Sequence, residues 1–186
     1  MSTTTRRYTY ADLLETPDDG NRYEIIDGEL IVSAAPLVIH QWFLYLLSRR
    51  FGDYADRHKL GRVLFAPVDI LFSTGDTVQP DLVFIRKDRM HILKAALVTG
   101  VPDVVLEVLS PSTRDRDLGI KLALYESMGV PEYWIADPEG PELTLLLPGN
   151  SGTYERALPE GGLLRSRELP NFEINLSDLY AELTAD

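Results

Sequence analysis

A chain of 186 residues that is 45% hydrophobic and 25% charged has the material for one compact domain with a real core and little room for a second. Its formal charge of −11 runs against a surface built to neutralise phosphates, and its zero cysteines exclude disulfides and thiolate zinc sites. Any metal must then sit on oxygen or histidine ligands, which favours hard ions such as magnesium or manganese. No stretch is apolar and long enough to span a membrane, and the opening Met1-Ser2-Thr3-Thr4-Thr5-Arg6-Arg7 has no apolar signal core; the expectation is a soluble, cytoplasmic protein.

Along the chain, Thr9 is placed to cap a short helix over Tyr10 to Glu15, ended near Pro17. The runs 23–27 and 29–33 meet across Asp27-Gly28, a hairpin turn signal. A long helix is expected from about Val38 to Ala55, with Val38, Trp42, Leu46 and Phe51 among its apolar positions. The run Arg62 to Phe72 reads as a strand interrupted by Pro67, and Ser73-Thr74-Gly75-Asp76 turns the chain into the strand that carries Asp81, so the three pieces look like a meander. A short helix around Asp88 to Ala96 precedes a strand from Asp103 to Leu109, which stops at Ser110-Pro111-Ser112. Residues 114 to 128 have helical spacing with Gly129 as C-cap, and Glu132 to Ala136 resumes a strand, giving a crossover whose two strands should be parallel. Leu143 to Leu147 and Tyr154 to Leu158 read as a hairpin, and Leu176 to Leu183 as a closing amphipathic turn.

Two carboxylates stand inside apolar strands. Asp81 lies in Val78-Gln79-Pro80-Asp81-Leu82-Val83-Phe84-Ile85, on the face of Val83 and Ile85, and Glu107 lies in Val104-Val105-Leu106-Glu107-Val108-Leu109. A buried carboxylate is costly unless it is paired, hydrogen-bonded or bound to a cation. Asp81 could instead cap a turn, whereas a central strand has few bland uses for an ionised glutamate. Lys121, with Asp117 and Tyr125 at i−4 and i+4, is either one half of a surface ion pair or a cation folded back toward Glu107. His40, near the start of the long helix, is a helix-surface histidine or a phosphate contact or base; Asp69 is a lesser candidate. Basic residues cluster at 49–62, at 86–89 and at Arg114 and Arg116, as solvated helix ends and loops or as local contacts to substrate phosphates.

Taken in order, Tyr23-Glu24-Ile25-Ile26-Asp27-Gly28, Gln79-Pro80-Asp81, Glu107-Val108-Leu109-Ser110-Pro111-Ser112-Thr113, Lys121 and Gly129-Val130-Pro131-Glu132-Tyr133-Trp134-Ile135-Ala136-Asp137-Pro138 resemble the Uma2 family of endonucleases in the PD-(D/E)XK superfamily, formerly a family of unknown function. The resemblance covers roughly residues 9 to 180, and the block from Glu107 to Pro138 is its specific part. It implies an α/β (α+β) fold of restriction-endonuclease type, with a mixed central sheet flanked by helices, as a single domain over 1–186 with an N-terminal helix and hairpin and a C-terminal hairpin extension. It places the motif aspartate on Asp81 and the second acid on Glu107. The position two residues on, lysine in the orthodox motif, is Leu109 here. The resemblance moves that lysine to Lys121 on the following helix and adds Glu24 as an assisting acid.

The reaction so implied is hydrolysis of a nucleic-acid phosphodiester, with DNA as the expected substrate and no membrane partner. Asp81, Glu107 and the Val108 carbonyl would hold Mg2+ or Mn2+, Glu24 completing the shell through a water, and Lys121 would steady charge. His40, Arg114 and Arg116 are the expected substrate contacts, and a homodimer is an open possibility. Asp81→Asn and Glu107→Gln are both expected to leave the fold intact or slightly more stable. Two other readings stay open: an inactive binding or assembly module that keeps its acids for structure, and a hydrolase of small phosphate esters.

Overall fold

The computed structural model describes residues 6–140 and 142–185; the opening stretch 1–5 lies outside them. The first helix, α1 (Tyr10–Leu13), is a single turn whose Asp12 carboxylate accepts from the Thr9 backbone N–H and hydroxyl, both at 2.8 Å. The hairpin of β1 (Arg22–Ile26) and β2 (Glu29–Ser33) forms as expected. Asp27 and Gly28 both take positive φ, 51° and 75°, the left-handed pair that matches strand twist. Helix α2 (Val38–His58) outruns the expected Ala55 and stops where Lys59 turns left-handed. Of its apolar positions Leu46 and Phe51 are buried, while Val38 and Trp42 are exposed.

Pro67 divides the next segment into β3 (Gly61–Phe65) and β4 (Asp69–Leu71), and the halves enter different sheets. The short β5 (Thr77–Val78) pairs with β4, whereas β6 (Leu82–Arg86) pairs with β3, so the expected meander is split. Residues Lys87–Ile92 form a 3-10 turn instead of an α-helix reaching Ala96, followed by β7 (Leu97–Thr99). The crossover from β8 (Val104–Val108) to β9 (Glu132–Asp137) is parallel, as expected. It carries two helices in place of one, α3 (Arg114–Asp117) and α4 (Ile120–Met128). Between them a Cβ on Gly119 would stand 2.6 Å from the Asp115 carbonyl oxygen, an approach only glycine permits. The hairpin of β10 (Glu142–Pro148) and β11 (Tyr154–Arg156) follows, then an unforeseen pair, β12 (Leu163–Arg165) and β13 (Glu173–Asn175). Helix α5 (Leu176–Leu183) closes the fold, capped by the Asn175 side chain, which accepts from the Ser177 and Asp178 N–H groups.

The architecture is mixed α/β. A six-stranded sheet runs β11-β10-β9-β8-β6-β3 and a five-stranded one β2-β1-β5-β4-β7. Alternation along β6 decides how they pack: Leu82 and Phe84 join a core with α2, α5 and the β12/β13 pair, while Val83 and Ile85 join one with the second sheet and α4. Aromatic rings such as Phe51, set edge-on to Trp134 at 5.4 Å, anchor the first core, where each buried side chain contributes about 1.5–3 kcal/mol. The chain passes from the second sheet to the first between β5 and β6, at Gln79-Pro80-Asp81. Among the described residues no helix is long and apolar enough to cross a membrane.

Candidate active site

The junction of the two sheets makes the site. β6 and β8 pair antiparallel with Leu82 opposite Leu106, so one further step of that register sets Asp81 against Glu107. The ladder does not continue there. Asp81 Oδ2 instead accepts from the Val108 N–H at 2.8 Å, and a cleft of about 290 Å³ opens with both carboxylates in its lining. Glu24 enters from β1 in the other sheet, its Oε1 accepting at 2.8 Å from the N–H of Gln79 and so tying that sheet to the Asp81 loop. Six of the residues expected at the site, Glu24, His40, Asp81, Glu107, Val108 and Lys121, line this one cleft.

Lys121 reaches the carboxylates from α4. Its Nζ lies 2.9 Å from Glu107 Oε1, 2.8 Å from Glu24 Oε1 and 3.8 Å from Asp117 Oδ1, and the side chain is 2% exposed. The surface-pair reading of Asp117 and Lys121 is therefore excluded. Tyr125, one turn on, donates its hydroxyl to the same Glu107 oxygen at 2.7 Å. Both contacts fall on Oε1, and Glu107 Oε2 has no hydrogen-bond partner among the described residues.

The two motif carboxylates sit in opposite electrostatic situations. Burial pushes the Asp81 carboxyl up, but the His40 hydrogen bond, the Arg22 charge and the Val108 N–H outweigh it and hold it down to about 2. For Glu107 burial wins: Lys121 pulls the carboxyl down, yet Asp117, Asp81 and Glu24 add repulsion and it is pushed up to about 8. Burial and the same repulsion raise Asp117 as well. Burial by itself would lower Lys121, and the three carboxylates around it raise it instead, so it stays an ammonium. The two acids therefore stand differently toward neutralisation, because Asp81 accepts three hydrogen bonds as an anion.

The expected substrate contacts divide. His40 is buried, and its Nε2–H donates to Asp81 Oδ2 at 3.1 Å, leaving Nδ1 without a partner among the described residues. Arg116 points to the site's edge, donating to Ser33 Oγ and standing 3.9 Å from Glu24 Oε2. Arg114 is turned away into a half-exposed pair with Asp137, 2.5 Å apart. Asp69 lies outside the cleft, accepting from Gln79 Nε2 and Tyr10. Arg22, not foreseen, donates to Asp81 Oδ1 at 2.9 Å and to the Gln79 carbonyl at 3.0 Å. Only the β1/β2 hairpin signal bore on it: alternation along β1 places Arg22 on the face of Glu24.

Among the described residues no three acidic or histidine side chains form a ready cation cage. The donor chemistry nevertheless fits a hydrated divalent ion. Glu24, Asp81, Glu107 and Asp117 face Arg22 and Lys121, with Arg116 at the margin, so the buried carboxylates outnumber the cations, an imbalance that adds to the burial raising Glu107. Magnesium takes few protein oxygens and keeps several waters, which suits two carboxylates and a carbonyl in an open cleft.

The family model Uma2, described as "putative restriction endonuclease", matches residues 9–177. A crystal structure described as a putative nuclease belonging to DUF820 from Anabaena variabilis superposes with a TM-score of 0.78 at 16% identity, covering 95% of this chain and 99% of that one. At that identity the likeness establishes the fold, of restriction-endonuclease type. No protein of curated function matches.

Proposed function

Since the chain belongs to the Uma2 family, whose model is described as "putative restriction endonuclease", we propose that it is a metal-dependent endonuclease that hydrolyses phosphodiester bonds of DNA from a single domain. The observation that carries this reading is the convergence of Asp81, Glu107 and Lys121 in one cleft, with Lys121 Nζ 2.9 Å from Glu107. Asp81, Glu107 and the Val108 carbonyl are the residues that would hold magnesium or manganese, with Glu24 behind them through a water. When bound, such an ion polarises the phosphoryl oxygen and makes water a nucleophile near neutral pH.

The chain's own groups do the rest. Lys121 supplies a fixed positive charge beside the reacting phosphate, where a pre-organised cation in a water-poor site counts for most. Glu24, Asp117 and Tyr125 hold that ammonium and the Glu107 carboxylate in place. His40 and the Val108 N–H orient Asp81, and Arg22 and Arg116 offer guanidinium groups to phosphate oxygens.

The test is hydrolysis of plasmid DNA, single strands, RNA and nucleotides with magnesium, with manganese and with chelator, alongside Glu107→Gln. Metal-dependent cutting of polynucleotide that the variant loses supports the proposal. Turnover of mononucleotide phosphates alone would favour a small-ester hydrolase, and metal binding without turnover of anything a binding module.

A further inference from the structure

The outer face of α2 carries an apolar and aromatic stripe that the core does not use. Leu37, Val38, Trp42 and Tyr45 are exposed by 53%, 87%, 41% and 48%. From Val38 onward they recur at intervals of four and three, one face of a helix turned away from Phe43 and Leu47. The Trp42 and Tyr45 rings stack at 5.4 Å and 22°, and the Arg49 guanidinium lies over Tyr45 at 5.5 Å. Arg49 has no carboxylate in ion-pair range among the described residues. Leu37, at the start of the stripe, also lines the cleft that holds Asp81 and Glu107.

We infer that this stripe is a stacking track for single-stranded nucleic acid, leading a strand over Leu37 into the cleft. Three features select that occupant. Ring faces beside a guanidinium with no carboxylate partner among the described residues suit bases joined by phosphates, and stacking on aromatic side chains is indifferent to sequence. The track rises about 18 Å from Leu37 to Arg49, the reach of several nucleotides. The cleft, about 290 Å³ with its carboxylates 1% exposed at the floor, lies below the surface at the end of the track, so a phosphate must be brought down into it to meet them. The chain's net charge of −11 opposes a polyanion, and stacking supplies binding against it that phosphate neutralisation does not. The inference relies on the nuclease reading only for what happens once a strand is seated.

The chain has two tryptophans and Trp134 is fully buried, so quenching by a base reports on Trp42. The full chain, in chelator so that nothing is cut, is titrated with an oligothymidylate of about twelve nucleotides, an abasic strand of equal length and charge, and a duplex. Thymidylate should quench and bind at least about tenfold more tightly than the abasic strand, the ratio that roughly 1.4 kcal/mol of stacking supplies. Trp42→Ala, and separately Tyr45→Ala, should remove that preference while the melting temperature holds. Raising salt from about 50 to about 200 mM should weaken binding less than about tenfold, because few phosphates are neutralised. Equal binding of abasic and base-bearing strands, preference for duplex, or a sedimenting dimer that Trp42→Ala dissolves would overturn the inference. Because no hydrolysis is read, those outcomes leave the nuclease proposal standing, and a stacking result leaves it still to be met by its own assay.

Discussion

Lys121 donates to Glu107 across 2.9 Å from a helix, while the strand position two residues beyond Glu107 is Leu109, packed in the core. The ammonium thus occupies its place beside the acid by a route through α4, with Glu24 at 2.8 Å on its other side. Lys121→Met removes the cation and leaves its carboxylates buried and uncompensated, a loss on the order of 3–5 kcal/mol in chelator. Magnesium or manganese should recover part of it, since a divalent ion answers the same charge. Turnover should fall by at least about a hundredfold even at saturating metal. Chemical denaturation with and without metal, paired with hydrolysis rates, checks both; an unchanged midpoint in chelator would separate Lys121 from the carboxylates energetically.

Asp81→Asn and Glu107→Gln should both abolish hydrolysis but part company in stability. Asp81 accepts from Arg22, His40 and the Val108 N–H, and an amide in its place offers one acceptor oxygen where two were used; a loss of about 1–3 kcal/mol is expected. Glu107 is already pushed toward its neutral form, so glutamine there should be neutral or stabilising at pH values near 8. Thermal melts of the two variants side by side decide it. A matched loss in both would mean that the asymmetry between the acids is absent.

What was legible in the sequence follows the range of the forces involved. The hairpin at Asp27-Gly28 is local backbone chemistry, and two carboxylates in apolar strands are a local contradiction that only burial in a site resolves. Lys121 was legible through helical spacing plus a family resemblance. The partition of 62–85 between two sheets was not, because a strand's pattern shows which residues are buried and not which neighbour buries them. Arg22 was missed for the same reason: its contact with Asp81 spans 59 positions and depends on β1 pairing with β5, after which the chain leaves that sheet. The break at Gly119 was masked by unbroken helical periodicity on either side.

Arg22 competes for the oxygen that a metal would use, since its guanidinium sits on Asp81 Oδ1 at 2.9 Å. Arg22→Ala should therefore bind manganese more tightly in the absence of substrate, by a few-fold to about tenfold, as one positive charge leaves the cleft. The same variant should cut more slowly, having lost a guanidinium for phosphate. Calorimetry for the ion and kinetics for the substrate read the two effects separately. Weaker metal binding would show instead that Arg22 is needed to shape the Asp81 carboxylate.

The raised Glu107 carboxyl makes both stability and metal binding depend on pH. Its folded value, about 8, lies above the ordinary 4.5, so the folded state holds a proton that the unfolded chain gives up. The stabilisation this provides is complete below about pH 4.5 and is lost as pH rises through about 8. Asp81, held at about 2 against an ordinary 3.8, acts at the other end: its contribution is present above 3.8 and is lost as pH falls toward 2. In chelator, melting temperature should decline between about pH 5 and about pH 8, and Glu107→Gln should flatten that decline. A cation binds the ionised carboxylate, so its affinity should climb with pH up to about 8, and binding near pH 7 should release close to one proton. Calorimetric titration of magnesium or manganese in two buffers of different ionisation enthalpy measures that proton directly. Metal binding with no proton released, and a wild-type melting profile as flat as that of Glu107→Gln, would place the cation away from Glu107 and leave its raised carboxyl without a role in the site.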